Sequence, residues 1–486
     1  MEVLYKVLAG NPLIIFDFMF SRYNQHPNNH FSLCILLFLI IFSVLWMTSY
    51  PSVAGGESGG LMVAAFQYSQ TKPPGNPTWI LINHLLSKAC TGVELPKVLA
   101  VFSNVCSALS GVFLFSAISL WTGECWFALI CAGMFSFSPV VWEAGTKADA
   151  WSLHYMFVNG LLYAFCYLRS IRTNNEDIRT PLLWMSVLTG ISYANNPLIL
   201  AFWLPIAFWF IVQQSPYPSS ARSIISRVPI LPFVLTATLI FTAIPMIVLF
   251  CYSTVPFGSW SDIDNLKQLM YRMTSLPAPM ELEISPNDPF AKTWDLSLAI
   301  DIIEEQFWLP RLPLLLVIAV GFSLLMSSKR HKHPNMDFPL VLLSSLVIYS
   351  LIIFQFYPVN QYNPFQVKDF RALVPQMASI LFLWLAIFMK LIQQRMFPFV
   401  QKNQLIFCAL FIVLLVAFTN YHNMDQSNNE YAKEFGQALL EPLPDGSILL
   451  VNDEEIWNIC LFLKVIESFR TYNHLINLQH LEQKWY

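Results

Sequence analysis

The sequence predicts an all-α membrane protein that crosses the bilayer about eleven times and carries loops and a short α/β tail on one side. Of its 486 residues, 56% are hydrophobic and only 12% are charged, whereas soluble globular domains carry about 25% charged residues. The mean hydropathy is +0.52. The apolar residues are concentrated in runs close to the roughly 20 residues that a helix needs to cross a bilayer. This composition excludes an ordinary cytosolic enzyme, a disordered regulator and a secreted disulfide scaffold.

Each apolar run is expected to be helical, because unpaired backbone groups are not tolerated in lipid. Asn195-Asn196-Pro197 interrupts one long apolar stretch, so the number of spans at that point is open. The predicted spans, which with their connections form a transmembrane domain over residues 31–420, are 31–49, 97–121, 125–142, 151–168, 181–196, 197–213, 229–252, 309–326, 338–357, 373–390 and 404–420.

The orientation follows from Lys and Arg in the short connections, which concentrate on the cytosolic side of membrane proteins. These residues are more numerous on the side of the N-terminus, which makes residues 1–30 cytosolic. The first apolar run begins at Phe31 without a small-residue cleavage site and is interpreted as a membrane anchor. Loops 50–96, 253–308 and 358–372 and the tail, residues 421–486, are then expected in the lumen.

Within the tail, Gly446–Asn452 is expected to form a short buried strand between helical segments. The chain contains no usable Asn-x-Ser/Thr glycosylation acceptor, since a proline blocks Asn76-Pro77-Thr78. A net charge of −3 gives no indication of a nucleic-acid partner. The nine cysteines form no CxxC site or disulfide framework, and no cluster has metal-ligand spacing, so neither a metal nor a cofactor is predicted.

The first lumenal loop contains the highest concentration of candidate functional residues. It contains Tyr50-Pro-Ser-Val-Ala-Gly-Gly-Glu-Ser-Gly-Gly60 and then Lys72-Pro-Pro-Gly-Asn-Pro77. Glycines permit unusual backbone angles and close approach of a ligand, so Glu57 is a candidate carboxylate base and Lys72 a candidate anion-binding group. The alternative is a flexible loop in which both side chains are merely solvated. The residues predicted to shape the loop are Gly55, Gly56, Gly59, Pro73, Pro74 and Gly75.

A second cluster joins two spans by a short turn on the same side, Trp142-Glu-Ala-Gly-Thr-Lys-Ala-Asp-Ala-Trp-Ser-Leu-His154. Asp149 is a candidate catalytic acid, and it is also placed to cap the helix that starts near Trp151. The two roles are compatible. His154 is a possible acceptor or support residue, although a satisfied interior histidine is the alternative that the sequence favours.

Two further segments contribute candidates. Lys368, Asp369 and Arg371 lie on the predicted lumenal side, where Lys and Arg are normally scarce. Phosphate binding by the planar guanidinium of Arg371 would explain a basic residue there. The alternative explanation is a network of surface ion pairs. In the second loop, a capped helix is predicted to begin at Asp262 or Asp264, and Asp262 is a possible acceptor-shaping residue.

These motifs resemble the GT-C superfamily of membrane glycosyltransferases, and within it the transmembrane-protein-260 type of protein O-mannosyltransferase. That family's first lumenal loop reads P-x-x-x-G-G-D-S-G-E and then H-P-P-G-Y-P, matched here by Pro51–Gly60 and Lys72–Pro77. Ala148–His154 is similar to the family's A-E-V-F-x-L-N-like span start. Gly258-Ser-Trp-Ser-Asp262 resembles its W-G-D turn, and Glu441–Leu450 resembles its post-membrane segment.

The resemblance implies a GT-C-like bundle in the endoplasmic reticulum membrane. It also implies an inverting transfer of mannose from dolichyl phosphate β-mannose, a substrate rather than a cofactor, to Ser or Thr of folded domains such as the IPT domains of plexin-like receptors. Glu57 would then be the general base, and Lys72 and Arg371 would bind the donor phosphate. Asp149 matches a family acid that assists the acceptor or orients the base.

The chain departs from the family pattern at Glu57 (Asp in the family), Gly60 (acid), Lys72 (His) and Asn76 (Tyr), and its tail is expected to be truncated relative to such relatives. Three alternatives therefore stay open. They are a transferase that uses another lipid-linked sugar, a non-catalytic relative that binds acceptor domains, and a transporter or lipid-handling protein, which would place charges and broken helices at mid-bilayer in repeats.

Overall fold

The computed structural model describes residues 27–71, 75–173, 179–200, 203, 231–252, 296–305, 337–356, 364–396, 402–478 and 481. Within them the chain is predominantly helical, as predicted. The helices are α1 (Pro27–Met47), α2 (Ser58–Gln67), α3 (Pro77–Ala89), α4 (Leu95–Thr122), α5 (Cys125–Ser136), α6 (Pro139–Thr146), α7 (Ala150–Thr173), α8 (Arg179–Asn195), α9 (Leu231–Tyr252), α10 (Leu296–Glu305), α11 (Asp337–Phe356), α12 (Pro364–Met396), α13 (Lys402–Met424), α14 (Tyr431–Leu440) and α15 (Glu454–Val465). The strands are β1 (Ile448–Val451) and β2 (His474–Asn477).

Length and apolar composition identify the membrane-crossing helices. Among the described residues, four helices can cross a membrane on these grounds, or five when the bent pair α5–α6 is counted as one span. The four segments are His30–Met47, Leu95–Thr122, Phe370–Lys390 and Gln404–Met424. The predicted count of eleven stays a prediction, since the predicted span 309–326 and most of 197–213 lie outside the described residues.

The predicted span over residues 125–142 is not one straight helix. The chain bends by 64° between α5 and α6. Ser138 has extended backbone angles and Pro139 starts α6, a position where the missing proline N–H costs nothing. Asn420 Nδ2 donates to the carbonyl of Phe137 at 2.9 Å, which satisfies a backbone group that the bend frees. The bend turns α6 toward the first loop.

The centre of the bundle is the pairing of α4 with α7, supported by α5 and α12. Most of the buried side chains are apolar, with Phe115, Phe127, Phe135 and Phe165 among the largest. Some polar side chains inside the bundle pair with each other; Asn159 Nδ2, for example, donates to Ser110 Oγ at 2.9 Å. Such pairs are necessary because an unpaired polar group in an apolar interior is costly.

The tail forms a small βαβ unit. Strand β1 pairs in parallel with β2, in a register that places Ile448 opposite His474 and Val451 opposite Asn477, and α15 connects them. The strand predicted in Gly446–Asn452 is therefore present, but the expectation that it is buried is only partly correct. Ile448 and Leu450 are exposed while Val451 is buried, because alternate side chains of a strand point to opposite faces.

Helix α15 of the tail packs against α2 of the first loop, and this contact depends on glycines. A Cβ on Gly59 would collide with the carbonyl oxygen of Asn458, and a Cβ on Gly60 would meet the side chain of the same residue. Asn458 Nδ2 in turn donates to the carbonyl of Gly56 at 3.1 Å. The close approach of the tail to the first loop therefore requires the absence of side chains at positions 59 and 60.

Replacing Gly59 with Ala is expected to destabilise the docking of the tail by about 1–3 kcal/mol, the usual cost of forcing an added methyl into a packed site. Thermal unfolding of the detergent-solubilised protein measures the effect. Gly92→Ala is the matched control, because no atom lies within 4 Å of the position that its Cβ would occupy. Equal melting temperatures for the two variants would contradict the close contact.

Candidate functional site

A cavity of about 320 Å³ lies where four segments of the chain meet. These are the first loop, the α6–α7 connection, the start of α12 and the start of α15. The topology predicted from the sequence put all four on the same side of the membrane, and the structure brings them together. The cavity is lined by the acids Glu57, Glu143, Asp149, Glu454 and Glu455 and by the cations Lys147, Lys368 and Arg371.

Glu57 stands at the start of α2, directly after a glycine turn. Gly56 has a φ of +76°, which favours glycine, and a Cβ at this position would also collide with the Lys368 side chain. The Glu57 side chain is exposed to the cavity and does not cap α2. A carboxylate that is held by a rigid turn and not used in a cap is available to a ligand.

Asp149 caps the helix that follows it and lies beside a lysine. Its Oδ1 accepts a hydrogen bond from Trp151 N at 2.9 Å, which confirms the predicted cap of α7. Its Oδ2 lies 3.8 Å from Lys147 Nζ. Burial raises the pKa of Asp149 from its usual 3.8 to about 6, against the lowering influence of Lys147 and of the backbone hydrogen bond.

Lys147 is the buried centre of the site's charges. Its Nζ donates to Glu143 Oε1 at 2.7 Å, and Arg371 lies 3.6 Å from the other oxygen of Glu143. Burial alone would favour the neutral amine, but Glu143 and Asp149 together raise the pKa of Lys147 above its ordinary value. The site therefore holds a fixed positive charge between two carboxylates.

Helix α12 supplies two cations on one face. Lys368 and Arg371 are three residues apart, so their side chains lie one above the other on the helix, and both line the cavity. The sequence analysis selected Arg371 as a candidate phosphate-binding group, with a surface network of Asp369, Lys368 and Arg371 as the alternative, and did not select Lys368 as a site residue. The structure places both at the site.

The tail contributes residues that the sequence analysis missed. Glu454, Glu455 and Asn458 line the cavity from α15, whose first turn is capped by Asp453 through a 2.9 Å hydrogen bond to Ile456 N. Acids at the start of a helix are common because they complement its dipole. For that reason the two acids predict only the start of a helix and do not indicate a functional site.

The remaining predicted residues fall in other places. His154 is buried, its Nε2 lies 2.9 Å from Gln376 Oε1 on α12, and it does not line the cavity; this is the interior placement that the sequence favoured, and it suits support rather than acceptor contact. Gly75 has a φ of +87°, as expected for a loop-shaping glycine. Lys72, Pro73, Pro74 and Asp262 lie outside the described residues.

No group of three or more His, Cys, Asp or Glu residues in the described part of the chain is arranged to hold a metal ion. The cavity's chemistry rests on carboxylates that can accept a proton and on cations that can bind an anion.

The chain is similar to one family model and to curated proteins. Residues 57–220 match the family model described as Protein O-mannosyl-transferase TMEM260 N-terminal domain. The chain is 23% identical over 489 residues to Protein O-mannosyl-transferase tmem260 of Dictyostelium discoideum, covering 93% of this chain and 58% of that relative. It is 22% identical over 469 residues to Protein O-mannosyl-transferase TMEM260 of Mus musculus, covering 93% and 63%. The chain thus spans about three fifths of the length of these curated relatives, and the resemblance drawn from its motifs is confirmed.

Among solved structures, the chain is similar to the crystal structure of ArnT from Cupriavidus metallidurans bound to undecaprenyl phosphate. The TM-score is 0.53 at 9% sequence identity, and the match covers 93% of this chain and 91% of that chain. At this identity the likeness shows the fold alone. It confirms the predicted GT-C-like architecture.

The raised pKa of Asp149 predicts a pH-dependent stability. Because the folded-state pKa of about 6 exceeds the usual 3.8, this group's contribution to folding is complete at low pH and is lost as the pH rises through 6. Between pH 4 and 7, the free energy of unfolding of the native protein should fall relative to that of Asp149→Asn, by at most about 3 kcal/mol.

Asn is the matched substitution, since its side-chain oxygen can still accept from Trp151 N. Unfolding of both proteins in detergent, at steps across this pH range, measures the difference. Parallel curves would mean that the pKa of Asp149 is the same in the folded and unfolded states, and a native protein that gains stability over the variant as pH rises would mean that folding lowers it; either result would contradict the raised pKa.

Proposed function

We propose that the protein transfers mannose from dolichyl phosphate β-mannose to Ser or Thr hydroxyls of folded secretory-pathway domains, in the lumen of the endoplasmic reticulum. The observation on which the proposal depends is the cavity that Glu57, Lys368 and Arg371 line together. Support comes from the similarity, over 93% of the chain, to proteins named O-mannosyl-transferases.

Glu57 acts as the general base. Its carboxylate takes the proton of the acceptor hydroxyl as the oxygen attacks the anomeric carbon of the sugar. The bond between that carbon and the phosphate oxygen breaks, its electron pair leaves with dolichyl phosphate, and a single displacement inverts the configuration. Exposure of the Glu57 side chain to the cavity is what this role requires.

Arg371 and Lys368 stabilise the charge that gathers on the leaving phosphate, which is where preorganised cations lower the barrier most. Lys72 adds to them from the first loop. The crystal structure of ArnT, whose fold the chain shares, contains bound undecaprenyl phosphate, a polyprenyl phosphate of the same chemical class as the donor's carrier. The apolar residues Val140, Ala144 and Val367 on the wall of the cavity suit the first isoprene units of the lipid.

Asp149 orients the site instead of accepting the proton. Its carboxylate caps α7 and lies beside Lys147, so it fixes the turn that faces Glu57. The acceptors implied by the family resemblance are IPT domains of plexin-like receptors.

Glu57→Gln should lower the rate of mannosyl transfer by at least about 100-fold, because the amide cannot accept the proton. The measurement uses purified protein, labelled dolichyl phosphate mannose and an IPT domain. Glu94→Gln, which alters an exposed acid paired with Lys97, is the control and should leave the rate unchanged.

Equal transfer by the native protein and Glu57→Gln would remove Glu57 from the base role. An absence of transfer by the native protein, with the acceptor domain still bound, would contradict the proposed activity and favour a non-catalytic relative.

Substituting the cations of α12 should act on the donor. Lys368→Ala and Arg371→Ala are each expected to lower kcat about 10-fold or more, since the interaction strengthens as the phosphate leaves, while the KM for the acceptor domain changes little. Initial rates at varied donor and acceptor concentrations test this. A rise confined to the acceptor KM would assign these residues to the acceptor instead.

A further inference from the structure

A second cavity, of about 410 Å³, adjoins the first. The two share Gly55, Glu143, Lys147, Lys368 and Glu455, so these residues form the partition between them. The partition is thin at Gly55, because the Glu455 carboxylate lies so close to this residue that it would collide with a Cβ. Gly55 is also only two residues before Glu57.

Apart from the shared residues, the two cavities differ in their lining. The first is walled by residues of the apolar helices α6, α7 and α12, among them Val140, Trp151 and Val367. The second is walled by the first loop and the tail, through residues such as Tyr50, Asn429 and Ile456. The apolar helices that line the first cavity favour the approach of a lipid-linked substrate there. The first loop and the tail, which line the second, favour the approach of a water-soluble substrate.

An aromatic pair stands at the second cavity. Tyr431 and Phe435 lie four residues apart on α14, with ring centroids 6.2 Å apart and an interplanar angle of 23°, and both line the cavity. Tyr431 is 72% exposed and Phe435 37% exposed. This helix lies in the tail, outside the segments that length and apolar composition identify as able to cross a membrane. Exposed aromatic side chains are typical anchors of protein interfaces.

The charge around this aromatic pair is acidic. Glu430 and Glu434 are exposed on α14, and Asp453 and Glu455 are partly exposed beside the cavity. The nearby cation Lys433 is engaged at 2.6 Å by Glu467. A basic partner is therefore favoured, since complementary charge steers association and specifies the partner.

We propose that this second cavity is the entrance for the acceptor, and that Tyr431 and Phe435 bind a polypeptide segment with apolar and basic side chains next to its hydroxyl. The proposal rests on the proposed function and adds to it the place where the acceptor docks. The hydroxyl reaches Glu57 across the Gly55 partition, while the lipid-linked donor occupies the other side.

The double substitution Tyr431→Ala, Phe435→Ala should raise the KM for an IPT domain about 10-fold or more, as expected for loss of an aromatic anchor. The KM for the donor and kcat at saturating acceptor should not change. Tyr472→Ala is the matched control, because Tyr472 is a 76% exposed aromatic of the same tail that does not line the cavity. An unchanged acceptor KM, or an equal rise in the donor KM, would overturn the proposal.

A second readout separates docking from turnover. With p-benzoylphenylalanine in place of Tyr431, illumination should link the protein to the IPT domain, whereas the same probe in place of Tyr472 should not. Adducts at position 431 without any mannosyl transfer would retain the docking site and reject the proposed function. No adduct, equal adducts at both positions, or adducts only with a second copy of this chain would overturn the docking site whether or not transfer occurs.

Discussion

The site depends on the close approach of α15 to the glycine turn of the first loop. Asn458 lies against the backbone of Gly59 and donates to the carbonyl of Gly56. A Cβ on Gly59 would collide with the backbone of α15 and displace the helix. This contact holds Glu57 at the rim of the cavity. It also brings Glu454 and Glu455 to the site and separates the two cavities, so a backbone contact between distant parts of the chain sets the geometry of the chemistry.

The charged groups of the site are held in place by one another. Lys147 is nearly buried, and a buried ammonium is costly unless it is paired and hydrogen-bonded; Glu143 and Asp149 supply that pairing, and Arg371 balances Glu143 from a different helix. Such a network is already oriented before a substrate arrives. Preorganised charge of this kind stabilises a developing phosphate anion without a cost of reorganisation during the reaction.

Much of this arrangement follows from the sequence. Glu57, Asp149 and Arg371 each stand at the end of an apolar run, and the parity of the runs puts those ends on one side of the membrane, where the structure brings them together. The bend at Pro139 was not predicted, because the hydropathy of a segment gives no information about the direction of its helix axis. Glu454, Glu455 and Asn458 were missed for a different reason: their place at the site comes from a contact between residues about 400 positions apart, and locally they read only as the start of a helix.

The central claim is that the first loop and the tail lie on the same side of the membrane, and that this side is lumenal. The chain has no natural N-glycosylation acceptor, so one can be introduced at either place by a single substitution, Ala89→Asn before Cys90-Thr91 or Asp445→Asn before Gly446-Ser447. Both positions are exposed. In cells, the account predicts that each variant gains one glycan that peptide N-glycosidase removes; variants that both stay unmodified, or of which only one is modified, would contradict it.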